Sequence, residues 1–217
     1  MATFALIHGG GGSAWDWHLL VEELRGRGHD AVAVSLPIED ESAGLFDYAD
    51  AVVEALGGPR ERLLVVAHSW GGFVGPLVCA RVPAELLVLV TAMIPKPGEP
   101  PADWWDNTGF THRDMNDPIG LFLHDVPRDL AEESLTRSRD HAEKALEEPW
   151  PLERWPDVPT RFLLCRDDRF FEPEFMRGVV RDRLGIRPDE IDGSHAPMLA
   201  RPKELADHLT GYLTGRS

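Results

Sequence analysis

Ser69 stands where the apolar run LLVVAH (residues 63–68) gives way to SWGGFVG (69–75), and a serine in that setting can act as a nucleophile. A strand that ends on small-x-Ser-x-Gly and passes at once into a helix forms a nucleophile elbow, a tight turn that lifts the hydroxyl above the sheet. Ala67 and Gly71 supply the small positions, and alanine at the first departs from the usual glycine. The competing reading is a serine that caps a helix after a buried strand. Context decides between them. The loop IHGGGGSAW (7–15) follows the first apolar run and can present backbone N–H groups to an oxyanion without side-chain obstruction. It has neither the Gly-x-Gly-x-x-Gly spacing with an acidic partner nor the Lys-Ser/Thr of a Walker loop, which disfavours phosphate binding. CRDDRFFEPEF (165–175) places Asp167 and Asp168 just past a late apolar run. IDGSHAPMLARPKEL (191–205) puts His195 in a turn ahead of a helix opened by Pro202. Serine, aspartate and histidine follow one another in the order that elbow enzymes require, so the pattern predicts acyl transfer by an activated serine. His8 is read as a brace for the glycine loop and His68 as a bystander, while His29, His112, His124, His141 and His208 have no comparable setting.

These residues need elements to hold them. Short apolar runs recur at TFALIH (3–8), DAVAVSL (30–36), RLLVVAH (62–68), ELLVLVTAM (85–93), TRFLLC (160–165) and PDEID (188–192). Most are continuous rather than alternating, as expected for parallel strands covered on both faces. Between them Ser13 can cap a helix carrying Trp17, Leu20, Val21 and Leu24, and Tyr48, Val52, Val53 and Leu56 form a second stripe stopped by Gly57. Strand and helix alternating in this way predict an α/β chain with a doubly wound, mostly parallel sheet. Pro76, inside the helix expected after Ser69, should remove a backbone bond and kink it.

The rhythm breaks between two proline-rich stretches, PKPGEPPADWW (95–105) and EEPWPLERWPDVP (147–159). One weakly amphipathic helix is expected between them, with Leu130, Ala131, Leu135, Ala142 and Leu146 on one side. Residues 1–94 and 159–217 therefore form the core, and 95–158 a helical cap inserted into it.

Composition narrows the function. Twenty-two Lys and Arg against 37 Asp and Glu leave a net charge of −15, which repels phosphate backbones and argues against nucleic acid. Cys79 and Cys165 lie in apolar runs without ligand spacing, so neither a disulfide framework nor a metal site is expected. MATFALIHGGGG has no basic start, and no run approaches the ~18 apolar residues of a membrane span. The expectation is a cytoplasmic monomer or homodimer that acts on a small molecule and needs no cofactor.

HGGGGSAWDW (8–17), AHSWGGF (67–73), DDRFFEPEF (167–175) and GSHAPML (193–199) together resemble the α/β-hydrolase superfamily, on the side of the small plant-type esterase and hydroxynitrile lyase branch and its bacterial relatives. The resemblance spans nearly the whole chain. It implies a three-layer fold on about six strands, lacking the antiparallel hairpin that opens larger members. It also implies Ser69 as nucleophile, His195 as general base and Asp168 as orienting acid, because the family places that acid ahead of a Phe and a Pro-Glu-Phe. Asp167 stays as the alternative acid. The oxyanion donors carry over to the backbone N–H groups of Gly9 and Trp70, with Gly10 as alternate. The cyanogenic lyases have a lysine directly after the histidine and a hydroxyl residue in the first loop; Ala196 and Gly9 stand there, which disfavours lyase chemistry.

The function expected is hydrolysis of a carboxylic ester of a small to medium, largely apolar substrate through an acyl-enzyme. Trp104, Trp105, Phe110, Phe122 and Trp150 are candidates to line an apolar pocket, with the Trp70 ring at its border; packing of the insert onto the sheet is the rival role for each. Other chemistry on the same residues (a lactonase, thioesterase, carbon–carbon hydrolase or cyclase) and a ligand-binding protein with weak hydrolysis remain as alternatives.

Overall fold

The structure is a computed structural model that describes residues 1–215. Its elements in chain order are β1 (Thr3–Ile7), α1 (His18–Gly26), β2 (Asp30–Val34), α2 (Leu45–Leu56), β3 (Leu63–His68), α3 (Gly75–Cys79) and β4 (Leu86–Val90). The short helices α4 (Trp104–Thr108), α5 (Pro118–Phe122), α6 (Arg128–Thr136) and α7 (Lys144–Glu147) follow. The chain closes with β5 (Thr160–Cys165), α8 (Pro173–Leu184), β6 (Asp189–Ile191), α9 (Pro197–Ala200) and α10 (Pro202–Tyr212). Among the described residues no helix is long and apolar enough to cross a membrane.

The six strands form one sheet in the order β2-β1-β3-β4-β5-β6, and every pairing is parallel. Continuous apolar runs become strands here because both faces are covered. Ala5, Ile7, Val65, Ala67, Leu87, Leu89, Phe162 and Leu164 point to the side packed by α2, α3 and α8. Phe4, Leu6, Leu64, Val66, Val88, Val90, Leu163 and Cys165 point to the side packed by α1 and α10. Period-2 alternation thus feeds two cores from one uniformly apolar sequence. Strand order reverses at β1 and β3, and the loops past their carboxyl ends part there, which is where open α/β sheets place their ligands.

Two local expectations change. Pro76 does not kink a helix: a 3-10 turn, Ser69–Phe73, comes first, and Pro76 sits in the opening turn of α3, where its missing N–H has no partner to lose. The single helix expected over 130–146 ends at Thr136 and resumes as α7. The interruption has a tertiary cause. Arg139 donates from its backbone to Gly11 O at 2.9 Å and from its guanidinium to Leu36 O at 3.0 Å, and Ala142 N–H donates to Ile38 O at 2.7 Å. Contacts with the core replace the intrahelical bonds of a segment whose apolar stripe is weak.

Candidate active site

Each chemistry-bearing residue lies just past the carboxyl end of a strand: the glycine loop after β1, Ser69 after β3, Asp168 after β5 and His195 after β6. Ser69 has a backbone φ of +51°, the left-handed conformation that a non-glycine residue rarely adopts, as the elbow requires. The glycine loop crosses this turn at close range. A Cβ at Gly9 would lie 2.9 Å from Ser69 Cβ and 3.1 Å from His68 Nδ1, so only a glycine brings that backbone so near.

Three side chains far apart in sequence meet there. His195 Nε2 lies 2.9 Å from Ser69 Oγ, and His195 Nδ1 lies 2.8 Å from Asp168 Oδ2. With Nδ1–H donating to the carboxylate, Nε2 is free to accept the serine proton. Asp168 is almost wholly buried, and its Oδ1 accepts the N–H groups of Phe170 and Phe171 at 2.9 Å each. The neighbouring Asp167 is exposed. Its carboxylate is turned to Gly193 N–H at 2.9 Å, so geometry puts Asp168, not Asp167, on the imidazole.

Two more histidines hold the surroundings. His8 Nδ1–H donates to Gly9 O at 2.7 Å, and its Nε2 accepts Leu36 N–H at 3.0 Å, which fixes the tautomer and pins the glycine loop. Burial, with further lowering by Arg139 and His141, pulls its pKa from 6.5 to about 4 against the opposing bond to Gly9. His68 is no bystander. Its Nε2–H donates to the backbone carbonyl of His195 at 2.7 Å, tying the end of β3 to the histidine turn. Burial, then the charge on His195, holds its pKa well below the usual value. Both imidazoles are therefore held neutral. The sequence held one signal for this role of His68, its place between a buried strand and the elbow.

A cavity of about 410 Å³ opens above Ser69 and His195, with Gly9, Gly10 and Trp70 on its wall beside them. Trp105 and Phe122 also line it, together with Met93, Phe170, Met198 and Leu199. Phe122 and Phe170 pack edge-on to the His195 ring at centroid distances of 5.5 and 5.4 Å. The remaining expected pocket residues lie elsewhere. Trp104 is fully buried and spends its indole N–H on Ile94 O at 3.0 Å. Phe110 is packed among Trp105, Phe170, Phe171 and Phe175 rather than on the wall. Trp150 is buried, with its N–H on Phe73 O at 2.9 Å. These three pack their own segment against the ends of β4 and β5 and the turn after Ser69. Asp16 is the one carboxylate on the cavity wall; burial raises its pKa, and one oxygen caps Ser13 N–H at 2.9 Å.

Known proteins resemble the chain along most of its length. Polyneuridine aldehyde esterase of Rauvolfia serpentina is 26% identical over 95% of this chain and 93% of its own. Methylesterase 7 of Arabidopsis thaliana is 27% identical over 93% of this chain and 92% of its own. The crystal structure of polyneuridine aldehyde esterase superposes with a TM-score of 0.84 at 21% identity, covering 98% of this chain and 99% of that one. A methylesterase from Arabidopsis superposes with a TM-score of 0.80 at 17% identity, covering 99% and 100%. A family model described as the alpha/beta hydrolase family matches residues 4–208, and the chain belongs to that family.

Proposed function

We propose that the protein is a serine esterase that cleaves a carboxylic ester of a small to medium, largely apolar substrate through an acyl-enzyme. The observation that carries this reading is the unbroken line of hydrogen bonds from Asp168 through His195 to Ser69, at 2.8 and 2.9 Å, on the floor of a mostly apolar cavity. Ser69 Oγ attacks the ester carbonyl while His195 Nε2 takes its proton, and Asp168 stabilises the imidazolium that forms. The backbone N–H groups of Gly9 and Trp70, with Gly10 as alternate, receive the oxyanion. His195 then returns its proton to the departing alcohol, and water, activated by the same ring, releases the acid. Trp105 and Phe122 receive the apolar part of the substrate, and residues 95–158 act as the cap that excludes water. The esterase names of the relatives above support the same chemistry.

The test is labelling with a fluorophosphonate and turnover of p-nitrophenyl esters of graded acyl length. Ser69 takes the label, and Ser69→Ala lowers kcat by roughly 10⁵ to 10⁶, as loss of an activated serine does elsewhere. Unlabelled Ser69, or a Ser69→Ala variant that turns over as fast as the parent, would overturn the reading.

A further inference from the structure

Resting on that reading, we propose that Thr91 is a positioning residue: its hydroxyl holds Asp168 through Oδ2, the same oxygen that receives the His195 Nδ1–H. Thr91 Oγ1 lies 2.7 Å from Asp168 Oδ2 in a fully buried contact between residues 77 apart in the chain. The other bonds to this carboxylate come from two backbone N–H groups and the imidazole. Among the described residues, Thr91 is thus the one hydroxyl that touches it. Asp168 is carried on a turn and can rotate about Cβ–Cγ; a fourth donor, rooted in a different strand, removes that freedom.

The backbone at Thr91 shows how the hydroxyl is aimed. This first residue past β4 has φ of +38°, a conformation that β-branched residues avoid. The turn is held from both sides. Thr91 N–H donates to Leu163 O on β5 at 2.8 Å, and Met93 N–H donates to Ser69 O at 2.9 Å. Residues 91–93 therefore join the strand that carries the acid to the turn that carries the nucleophile.

Thr91 and the imidazole share one acceptor, so loss of the hydroxyl has a predictable electrostatic sign. The charge on Oδ2 is then less compensated and attracts the protonated ring more strongly, and the acid limb of the rate profile moves to higher pH. The other titratable groups around the ring are His68 at the end of β3, His8 behind it, Cys165 on β5, and Asp125 and Asp167 beyond Cys165, with Arg201 against Asp125. None of them bonds to Thr91.

Three variants test this. Thr91→Val keeps the shape and deletes the hydroxyl; Thr91→Gly deletes it while relieving the positive φ; Thr91→Ser keeps it. Ester hydrolysis is measured from pH 5 to 9, alongside the low-field proton resonance of His195 Nδ1–H. Expected for both Val and Gly is a fall in kcat of about tenfold, the scale of one buried hydrogen bond. KM stays within about twofold, and the acid limb rises by about half a pH unit. Ser restores all three. A role confined to packing would separate Val from Gly, because they act oppositely on the backbone, and would leave the acid limb in place. Wild-type kcat in Thr91→Gly, or a Ser variant as slow as Val, overturns the proposal. If the parent chain turns over no ester, the esterase reading falls while Thr91 stays testable. The Nδ1–H resonance must then move in Val and Gly and return in Ser, and an unmoved resonance overturns the positioning role.

Discussion

Acidification from pH 7 to pH 5 should lower folding stability, by about 2 kcal/mol through the buried His8 alone, with the buried His68 acting in the same direction. His8 and His68 are both nearly inaccessible to solvent and held neutral, His8 with a pKa of about 4 and His68 well below 6.5. The unfolded chain takes up a proton on each near pH 6.5, whereas the folded chain refuses both until far lower pH. Stability is therefore complete above about pH 7 and falls as pH drops through 6.5, with a slope approaching 1.4 kcal/mol per pH unit for His8. Integrated to pH 5, His8 contributes about 2 kcal/mol, a large share of the 5–15 kcal/mol typical of a domain, and His68 adds to it with the same sign. The buried pair Glu99–Arg183 acts in a separate window. Burial would raise the Glu99 pKa, but hydrogen bonds and charge from Arg183 outweigh it and hold it below 4.5, so that contribution is lost only as pH falls further. Urea unfolding followed by tryptophan fluorescence at pH 7, 6 and 5 measures the loss directly. His8→Asn supplies the control: its amide can donate to Gly9 O, the Leu36 N–H bond is lost, and the pH dependence drops by one proton. A free energy of unfolding that stays flat between pH 7 and pH 5 would refute the assignment of both rings as neutral and buried.

Arg183→Met should cost about 3–5 kcal/mol, because it leaves the Glu99 carboxylate buried with only Asn107 and the Lys96 N–H as partners; the melting temperature reports it. Trp104 and Phe122 should separate stability from specificity. Trp104→Phe loses the bond to Ile94 O and leaves a void, lowering stability by about 2–3 kcal/mol with turnover per folded molecule unchanged. Phe122→Ala, at a half-buried position on the cavity wall beside His195, should leave the melting temperature nearly untouched while raising KM several-fold for the bulkier esters of the graded series.

The parts of this molecule that sequence makes legible are those whose cause is local. A continuous apolar run such as LLVVAH, five apolar residues in succession before a histidine, fits a short strand covered on both faces, and the serine at its end inherits its place from that strand. Gly57, ending α2 with φ of +66°, is legible for the same reason. Trp104 and Trp105 mark the limit of such reasoning. They are adjacent on a five-residue helix, too short to establish a periodic face, and tertiary contacts set which one turns inward: the bond to Ile94 O and packing on Phe171 and Phe175 hold Trp104. The helix expected over 130–146 failed likewise, since its weak stripe yields to carbonyls of the glycine loop and of Leu36 more than a hundred residues earlier.

The same distinction explains why the array of Asp168, His195 and Ser69 was legible, with His8 as the brace of its glycine loop, whereas Thr91 and the bond made by His68 were not. Each member of the array sits at a strand end with a local signature: an elbow, a pair of carboxylates before aromatic residues, a histidine in a short turn before a proline. Thr91 has no such signature and His68 only its place beside the elbow, because each acts through one bond to a residue 77 or 127 positions away. A parallel sheet creates this asymmetry. It delivers every strand's carboxyl end to one edge, so a residue one step past any central strand stands within reach of the chemistry whatever its local sequence. Thr91, one step past β4, stands between the ends of β3 and β5, and the conformation it is forced to adopt there turns an ordinary hydroxyl toward the only buried carboxylate that the array contains.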